Sequence, residues 1–277
     1  MKTIIAVMGS PRHRGDSVHF VSLIEAEMKK EKDIDFRYVF LKDRNIEYCR
    51  GCLLCMRKGE DACPIDDDVA ELRKELLTAD GIIFASPVYV HQVTALMKNF
   101  FDRFAFFMHR PAFHGKPALL LTTTEISGAP ETLDFLRFCA DSWGFTVVES
   151  LWVLADGMKM ECRYRRKMMR NAAIAGNKMC QAIENSSLPK PSTEALRFFR
   201  KLRTKVIIHR DKLPYDYQYW KEKGWLKQSY FYEVRIGPLQ KLIVVAPVLI
   251  IILRMKLKLG SDLFRAVFLE PMRSHRL

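Results

Sequence analysis

Apolar residues in the first 185 positions fall into two alternating patterns, short unbroken runs and longer stripes spaced three and four apart. Residues 3–8 form an apolar, β-branched run that stops at Gly9-Ser10-Pro11, as a strand buried on both faces would. Val18, Val21, Ile24 and Met28 then make a helical stripe that Asp16 or Ser17 can cap. Residues 36–41 supply a second, weaker strand. Asp66-Asp67-Asp68 precede a stripe of Val69, Leu72, Leu76 and Leu77, acidic residues suited to a helix N-terminus. Residues 81–85 are a third buried run closed by Ser86-Pro87. A helix is predicted over 93–107, a strand over 117–123, a helix over 130–143, a strand over 145–154 and a long helix over 159–183. Five strands alternating with helices predict an α/β fold, a doubly wound five-stranded parallel sheet covered on both faces. Such sheets bind ligands at the carboxyl ends of their strands, so the turns after the first, third and fourth strands are where chemistry should sit.

Those three turns carry suitable residues. The first reads Gly9-Ser10-Pro11-Arg12-His13-Arg14-Gly15-Asp16-Ser17 and runs directly into a helix. Backbone N–H groups at a helix N-terminus, hydroxyls from Ser10 and Ser17 and the guanidinium of Arg12 suit a phosphate; the plainer reading is a tight turn with a solvated charge cluster. The turn matches neither the GxGxxG nor the GxxxxGK[ST] pyrophosphate pattern. The third, Ser86-Pro87-Val88-Tyr89-Val90-His91, pairs a stiff bend with a flat aromatic that has a polar tip. The fourth, from Thr122 through Thr123, Thr124 and Gly128 to Pro130, offers hydroxyls and backbone donors around a glycine.

Composition narrows the class. The chain has 277 residues, 49% hydrophobic and 28% charged, which excludes wholesale disorder. Its net charge of +13 is uneven: Lys and Arg number 26 against 25 Asp and Glu over residues 1–187, but 19 against 7 over residues 188–277. Residues 1–185 therefore read as one domain and 186–277 as a basic, hydrophobic extension that faces something anionic. The apolar opening is too short for a signal peptide, so a cytoplasmic, reducing location is the expectation.

With these motifs in order, the chain resembles the flavodoxin-like NADPH-dependent FMN reductases over about residues 1–185. The likeness is carried by Gly9-Ser10-Pro11-Arg12 with Gly15 and Ser17, by Ser86-Pro87-Val88-Tyr89, and by Lys98, Phe100, Asp102 and Arg103. A cysteine segment makes it most similar, within that group, to the iron–sulfur flavoproteins. The resemblance implies a flavodoxin-like sheet, FMN as cofactor, NAD(P)H as electron donor and a homo-oligomer. It further implies that Ser10, Arg12, Gly15 and Ser17 hold the FMN phosphate, that Pro87, Val88 and Tyr89 run along the isoalloxazine, and that Thr123, Thr124 and Gly128 lie near its other edge. Asp16, in the phosphate turn, departs from the family's neutral residue; its carboxylate is unfavourable beside a phosphate unless it faces away.

The cysteine segment places Cys49, Cys52, Cys55 and Cys63 in a C-x2-C-x2-C-x7-C spacing. Cysteines at two-residue gaps can wrap one cubane face with a fourth arriving from a loop, and Arg50, Arg57 and Lys58 would offset the thiolate charge. The resemblance implies a 4Fe–4S cluster. Zinc and bare, redox-active or packing thiols stay open as alternatives. Cys139, Cys162 and Cys180 are expected to be buried apolar residues. Among the histidines, His13 lies in the phosphate turn, His91 follows Tyr89, and His109 and His114 sit in a segment that could cover the flavin. None is nominated as catalytic, because flavin chemistry belongs to the cofactor.

After Pro189-Lys190-Pro191 comes a helical segment with Leu196, Phe198, Phe199, Leu202, Val206 and Ile207 among arginines and lysines, then an aromatic stretch from Asp216 to Trp225. Residues 242–253 are twelve uninterrupted apolar residues flanked by Lys241, Arg254, Lys256 and Lys258. A twelve-residue helix reaches ~18 Å, short of a ~30 Å hydrocarbon core, and Pro247 would kink it. Two readings remain: contact with a membrane face at the periphery of the cytoplasm through residues 188–277, with Trp and Tyr at the interface, or packing on the first domain or a second subunit. No nucleic-acid motif is present.

The leading function is thus an FMN-dependent NAD(P)H oxidoreductase that passes electrons to a quinone, flavin, metal or protein acceptor, with the cluster as candidate intermediary. The alternative is a flavodoxin-like electron carrier reduced by a protein partner, and a third is a binding module that merely keeps the fold.

Overall fold

A computed structural model of the chain describes residues 1–155, 162–185 and 188–237. The chain divides into two compact units, one built from Met1–Cys52 with Cys63–Pro189, the other from Leu53–Ala62 with the described residues from Lys190 onward.

The first unit is organised by five strands, β1 (Lys2–Met8), β2 (Ile34–Phe40), β3 (Gly81–Pro87), β4 (Pro117–Thr124) and β5 (Thr146–Leu154). They form one sheet in the order β2-β1-β3-β4-β5, and every pairing is parallel. The helices are α1 (Asp16–Glu31), α3 (Val69–Thr78), α4 (Ala95–Arg103), α5 (Phe106–His109), α6 (Ala129–Trp143) and α7 (Cys162–Glu184), while a four-residue α2 (Leu54–Arg57) belongs to the second unit. The expected doubly wound, flavodoxin-like α/β sheet is the one observed.

Alternation along the central strands sorts residues between two cores. Ile4, Ala6, Met8, Ile83, Ala85, Leu119 and Leu121 pack with Phe20, Val21, Ile24 and Met28 of α1 and with Met168, Ala172, Ala175 and Met179 of α7. Gly176 sets how closely these helices approach, since a Cβ there would lie 3.2 Å from Glu27 Cβ. On the other face an aromatic cluster surrounds Trp143, with Phe101 and Phe107 at ring-centroid distances of 5.1 and 5.2 Å and Phe84 edge-on to Phe145 at 5.8 Å. Such pairs contribute about 0.5–1.5 kcal/mol each beyond the area they bury.

Three local expectations are revised. The helix predicted over 93–107 is two, because the chain tightens at Phe104 and restarts at Phe106, a break that turns both Phe104 and Phe107 into the aromatic cluster, stacked at 5.8 Å. The N-cap of α1 is Gly15, which has no side chain to make a cap bond, because the helix already starts at Asp16; the Ser17 hydroxyl, inside the first turn, meets Thr123. Cys139 and Cys180 are buried but Cys162 is exposed, since it lies six residues before Met168 and so off the apolar stripe of α7.

The second unit has its own core. Ser192 caps α8 (Thr193–Ile208) by accepting from the Ala195 amide, and Leu196, Phe199, Leu202 and Val206 from one face of that helix meet Trp220 of α9 (Pro214–Glu222), Trp225, Tyr230 and Phe231. Both tryptophans are therefore buried among aromatic neighbours rather than forming the interfacial belt expected of a membrane-facing tail. Gly59, at φ +98, passes against Tyr215, where a Cβ would lie 2.9 Å from the ring. Among the described residues no helix is long and apolar enough to cross a membrane. The run 242–253 and its flanking charges lie outside the described residues.

Candidate functional site

At the carboxyl ends of β1, β3 and β4 the three turns singled out in the sequence meet around a cleft of about 360 Å³, inside the range usual for small-ligand sites. From the first turn Ser10, Arg12, Gly15, Asp16 and Ser17 line it; from the third, Pro87, Val88 and Tyr89; from the fourth, Thr123 and Thr124. Gly128 does not line the cleft. It sits behind it in a left-handed conformation, φ +84, where a Cβ would lie 2.8 Å from His91 Cα and 2.8 Å from Val88 Cγ1. Its lack of a side chain lets the fourth turn press against the third.

Each wall is tied to its neighbours by buried polar contacts. Ser17 Oγ and Thr123 Oγ1 are 2.8 Å apart and join the start of α1 to the end of β4. The Thr94 hydroxyl donates to the Gly9 carbonyl at 2.7 Å while accepting the Met97 amide as the cap of α4. Thr122 Oγ1 donates to the Ser86 carbonyl, and the Val88 amide to the Thr123 carbonyl, both at 2.8 Å. Ser10 Oγ accepts the Arg12 amide at 3.1 Å, which folds the turn back on itself.

The residues fit a phosphorylated, flat ligand. Gly15 caps α1 with no side-chain oxygen, and it lines the cleft together with Asp16, Ser17 and Arg12, so the positive end of the helix and an arginine border the same space. Asp16 also lines the cleft, so its carboxylate shares the space where an anion would sit. Tyr89, Val90 and Ile126 add apolar surface to the lining, with Val90 97% and Ile126 90% exposed.

Six lining residues were not among the sequence-derived set: Val90, His91, Glu125, Ile126, Ser127 and Ala155. Val90 and His91 occupy the two centres of a tight turn closed by mutual Tyr89–Gln92 backbone hydrogen bonds, at φ 50 and 59. That turn usually draws asparagine and glycine, and a β-branched valine gives no sequence signal for it. Glu125, Ile126 and Ser127 lie between Thr124 and Gly128, so contiguity with those residues was the available clue. His109 and His114 do not line the cleft. His114 is packed against Gly144 next to the aromatic cluster, and burial pushes its imidazole down to about 4.

Residues 2–159 match the family described as NADPH-dependent FMN reductase. The chain belongs to that family. It is an oxidoreductase of the FMN reductase type, and FMN is the cofactor the cleft fits. An iron–sulfur flavoprotein of Archaeoglobus fulgidus is 30% identical over 225 residues, covering 80% of this chain and 99% of that one. An iron–sulfur flavoprotein of Methanocaldococcus jannaschii is 40% identical over 101 residues, or 36% of this chain and 50% of that one. Among solved structures, an FMN-dependent NADH-azoreductase of Bacillus anthracis in complex with FMN superposes with a TM-score of 0.51 at 9% identity, covering 65% of this chain and all of that one. RosB with a bound flavin-derived intermediate gives 0.54 at 12% identity, covering 86% and 92%. These two likenesses speak to the fold.

The cysteine segment lies apart from the cleft's lining. Cys49, Cys52 and Cys63 are exposed, Cys55 is half-buried on α2, and none of the four forms a disulfide. The backbone is left-handed at Gly51 and Leu53, between the first and second and between the second and third cysteines. In kind and number the donor set fits a four-thiolate cluster. Among the described residues, however, no group of three or more His, Cys, Asp or Glu side chains is gathered at metal-ligating distance.

Proposed function

We propose that this member of the FMN reductase family oxidises NAD(P)H on FMN held in the cleft and delivers the electrons to a second acceptor. The observation that carries the reading is the convergence of ten residues from three separate turns, among them Arg12, the start of α1 and Tyr89, on one cleft. When bound, FMN supplies the hydride chemistry. The chain's part is to bind and orient it: Arg12 and the first turn of α1 take the phosphate, Ser17 and Thr123 fix the floor, and Tyr89 offers its ring to the isoalloxazine. No general acid is required of the protein for this role.

A 4Fe–4S cluster held by Cys49, Cys52, Cys55 and Cys63 belongs to the same proposal. It is supported by the spacing, the four cysteines outside any disulfide and the iron–sulfur flavoproteins to which the chain is similar. The exposed apolar surface of Val90 and Ile126 supports a homo-oligomer or an apolar acceptor at the cleft. Contact of residues 188–277 with a membrane face rests on the sequence pattern alone, and liposome flotation of the full chain tests it.

The deciding experiment is anaerobic purification, quantification of flavin and iron, and stopped-flow mixing with NADPH or NADH. Flavin reduction followed by reoxidation on adding a quinone is the expected result. A flavin that stays oxidised with both nicotinamides overturns the reductase reading in favour of a carrier reduced by a protein, and failure to take up FMN overturns both.

A further inference from the structure

Glu47, two residues before Cys49, and Cys63, the last of the four cysteines, both lie within the first unit and meet at one buried ion pair. The Arg103 and Asp67 side chains are 2% and 1% exposed. Arg103, at the end of α4, donates through Nη1 to the Glu47 carbonyl at 2.8 Å and through Nη2 to Asp67 Oδ1 at 3.1 Å, and its Nη1 also pairs with Asp67 Oδ2. Its Nη2 lies 3.7 Å from Cys63 Sγ. The Asp67 carboxylate in turn accepts the Glu47 amide at 2.9 Å and the Val69 amide at 3.3 Å. One helical turn before Arg103, on the same face of α4, Asn99 donates to the Ile46 carbonyl at 2.7 Å. Asn45 and Asp68 close the set, each amide donating to the other residue, at 2.8 and 3.0 Å.

We infer that Arg103, locked by Asp67, is the positioning residue of the cysteine segment: it fixes the stem that carries Cys49 and holds Cys63 against its guanidinium, so that the first and last thiols start from one anchor. This rests on the cluster reading above. Three features favour it over a plain structural ion pair. The fork spends one arm on the Glu47 backbone and another on a cysteine sulfur, so it is not saturated by its carboxylate. Glu47 is two residues from Cys49, and two extended residues span at most ~7 Å, so fixing Glu47 limits where Cys49 can go. A buried charged pair is also an expensive way to join two loops that an apolar pair would join as well, whereas a cation beside a thiolate set offsets its negative charge.

The test uses the full chain purified anaerobically. Arg103→Gln leaves Asp67 buried without its partner, so the informative variant is the double replacement Arg103→Met with Asp67→Leu, which keeps apolar volume and leaves no unpaired charge. Arg103→Lys, which keeps the charge but loses the fork, is the conservative variant. Flavin per chain, iron per chain, the rate of iron release to a chelator and hydrogen exchange of the Glu47 amide are measured for each. The expected result is unchanged flavin content, iron release about tenfold faster in the double variant and intermediate in Arg103→Lys, as for loss of a ligand-orienting contact. Glu47 exchange should quicken in the double variant. A wild-type protein that holds iron, with a double variant that holds it equally well, overturns the inference and leaves the cluster reading standing. A wild-type protein without iron overturns the cluster reading and the inference with it.

Discussion

His91 Nε2 lies 3.1 Å from Ser127 Oγ, and the same imidazole presents Nδ1 to Glu131 Oε1 at 3.5 Å. The contact joins the third turn to the fourth across the rim of the cleft. His91→Ala removes it without touching the phosphate end. A rim hydrogen bond contributes about 1 kcal/mol net, so FMN should bind about fivefold more weakly, read by titration of flavin fluorescence. Unchanged affinity would show that the rim tie has no part in binding.

Gly128 makes that approach possible, and its replacement should be harsher. Gly128→Ala meets His91 Cα and Val88 Cγ1 at 2.8 Å and adopts φ +84. The left-handed backbone alone costs about 1–2 kcal/mol, before the contacts are relieved. A lower Tm and a larger loss of FMN affinity than in His91→Ala are expected. Equal effects of the two variants would argue against close packing as the role of Gly128.

Thr123→Val takes away the hydroxyl that lies 2.8 Å from Ser17 Oγ. Leaving a buried hydroxyl unsatisfied costs about 1–3 kcal/mol, whereas removing both partners costs less. Urea unfolding should therefore find the pair Ser17→Ala with Thr123→Val more stable than the sum of the single variants. Strict additivity would mean the two hydroxyls do not interact.

Asp16 faces both ways. As the first residue of α1 its charge favours the helix, yet it lines the same cleft as Arg12. Asp16→Asn should tighten FMN by about 1 kcal/mol, roughly fivefold, if the carboxylate lies near 4 Å from the phosphate in a wet site. Weaker binding in Asp16→Asn would show instead that the carboxylate supports the turn.

His114 makes stability pH-dependent. Its folded value, about 4, lies below the ordinary 6.5 because of burial, so the unfolded chain binds its proton first as pH falls. The contribution is complete above about pH 6.5 and declines towards pH 4, by up to on the order of 3 kcal/mol. Urea midpoints at pH 7.5 and 4.5 should differ more in the wild type than in His114→Phe. An identical difference in both would assign the acid sensitivity to carboxylates.

The sheet and the cleft-lining turn after β1 were legible because their signals are local. The run 3–8 is buried on both faces whatever its neighbours do, and a turn that ends a buried strand and starts a helix must present its amides at the sheet's carboxyl edge. Ser10, Arg12, Ser17, Tyr89 and Thr123 could therefore be named from periodicity, turn position and resemblance. Gly128 carries a different burden: its pattern marks it as a turn glycine, but that it serves as the seat for His91 depends on a contact 37 positions away in the chain.

What only the tertiary structure decided were the partners of polar residues. Asp66-Asp67-Asp68 read as helix-start acids, and Asp67 does accept the first amide of α3, but that it also binds Arg103 and the Glu47 amide, and Asp68 the Asn45 amide, was not legible. Trp220 and Trp225 read as interfacial, yet Phe199 and Phe231 bury them. Hydrophobic periodicity determines which face of an element turns inward, since that depends on spacing along one segment. Which carboxylate meets which guanidinium, and which ring finds which, depends on segments far apart in sequence, and only the packed chain sets those distances.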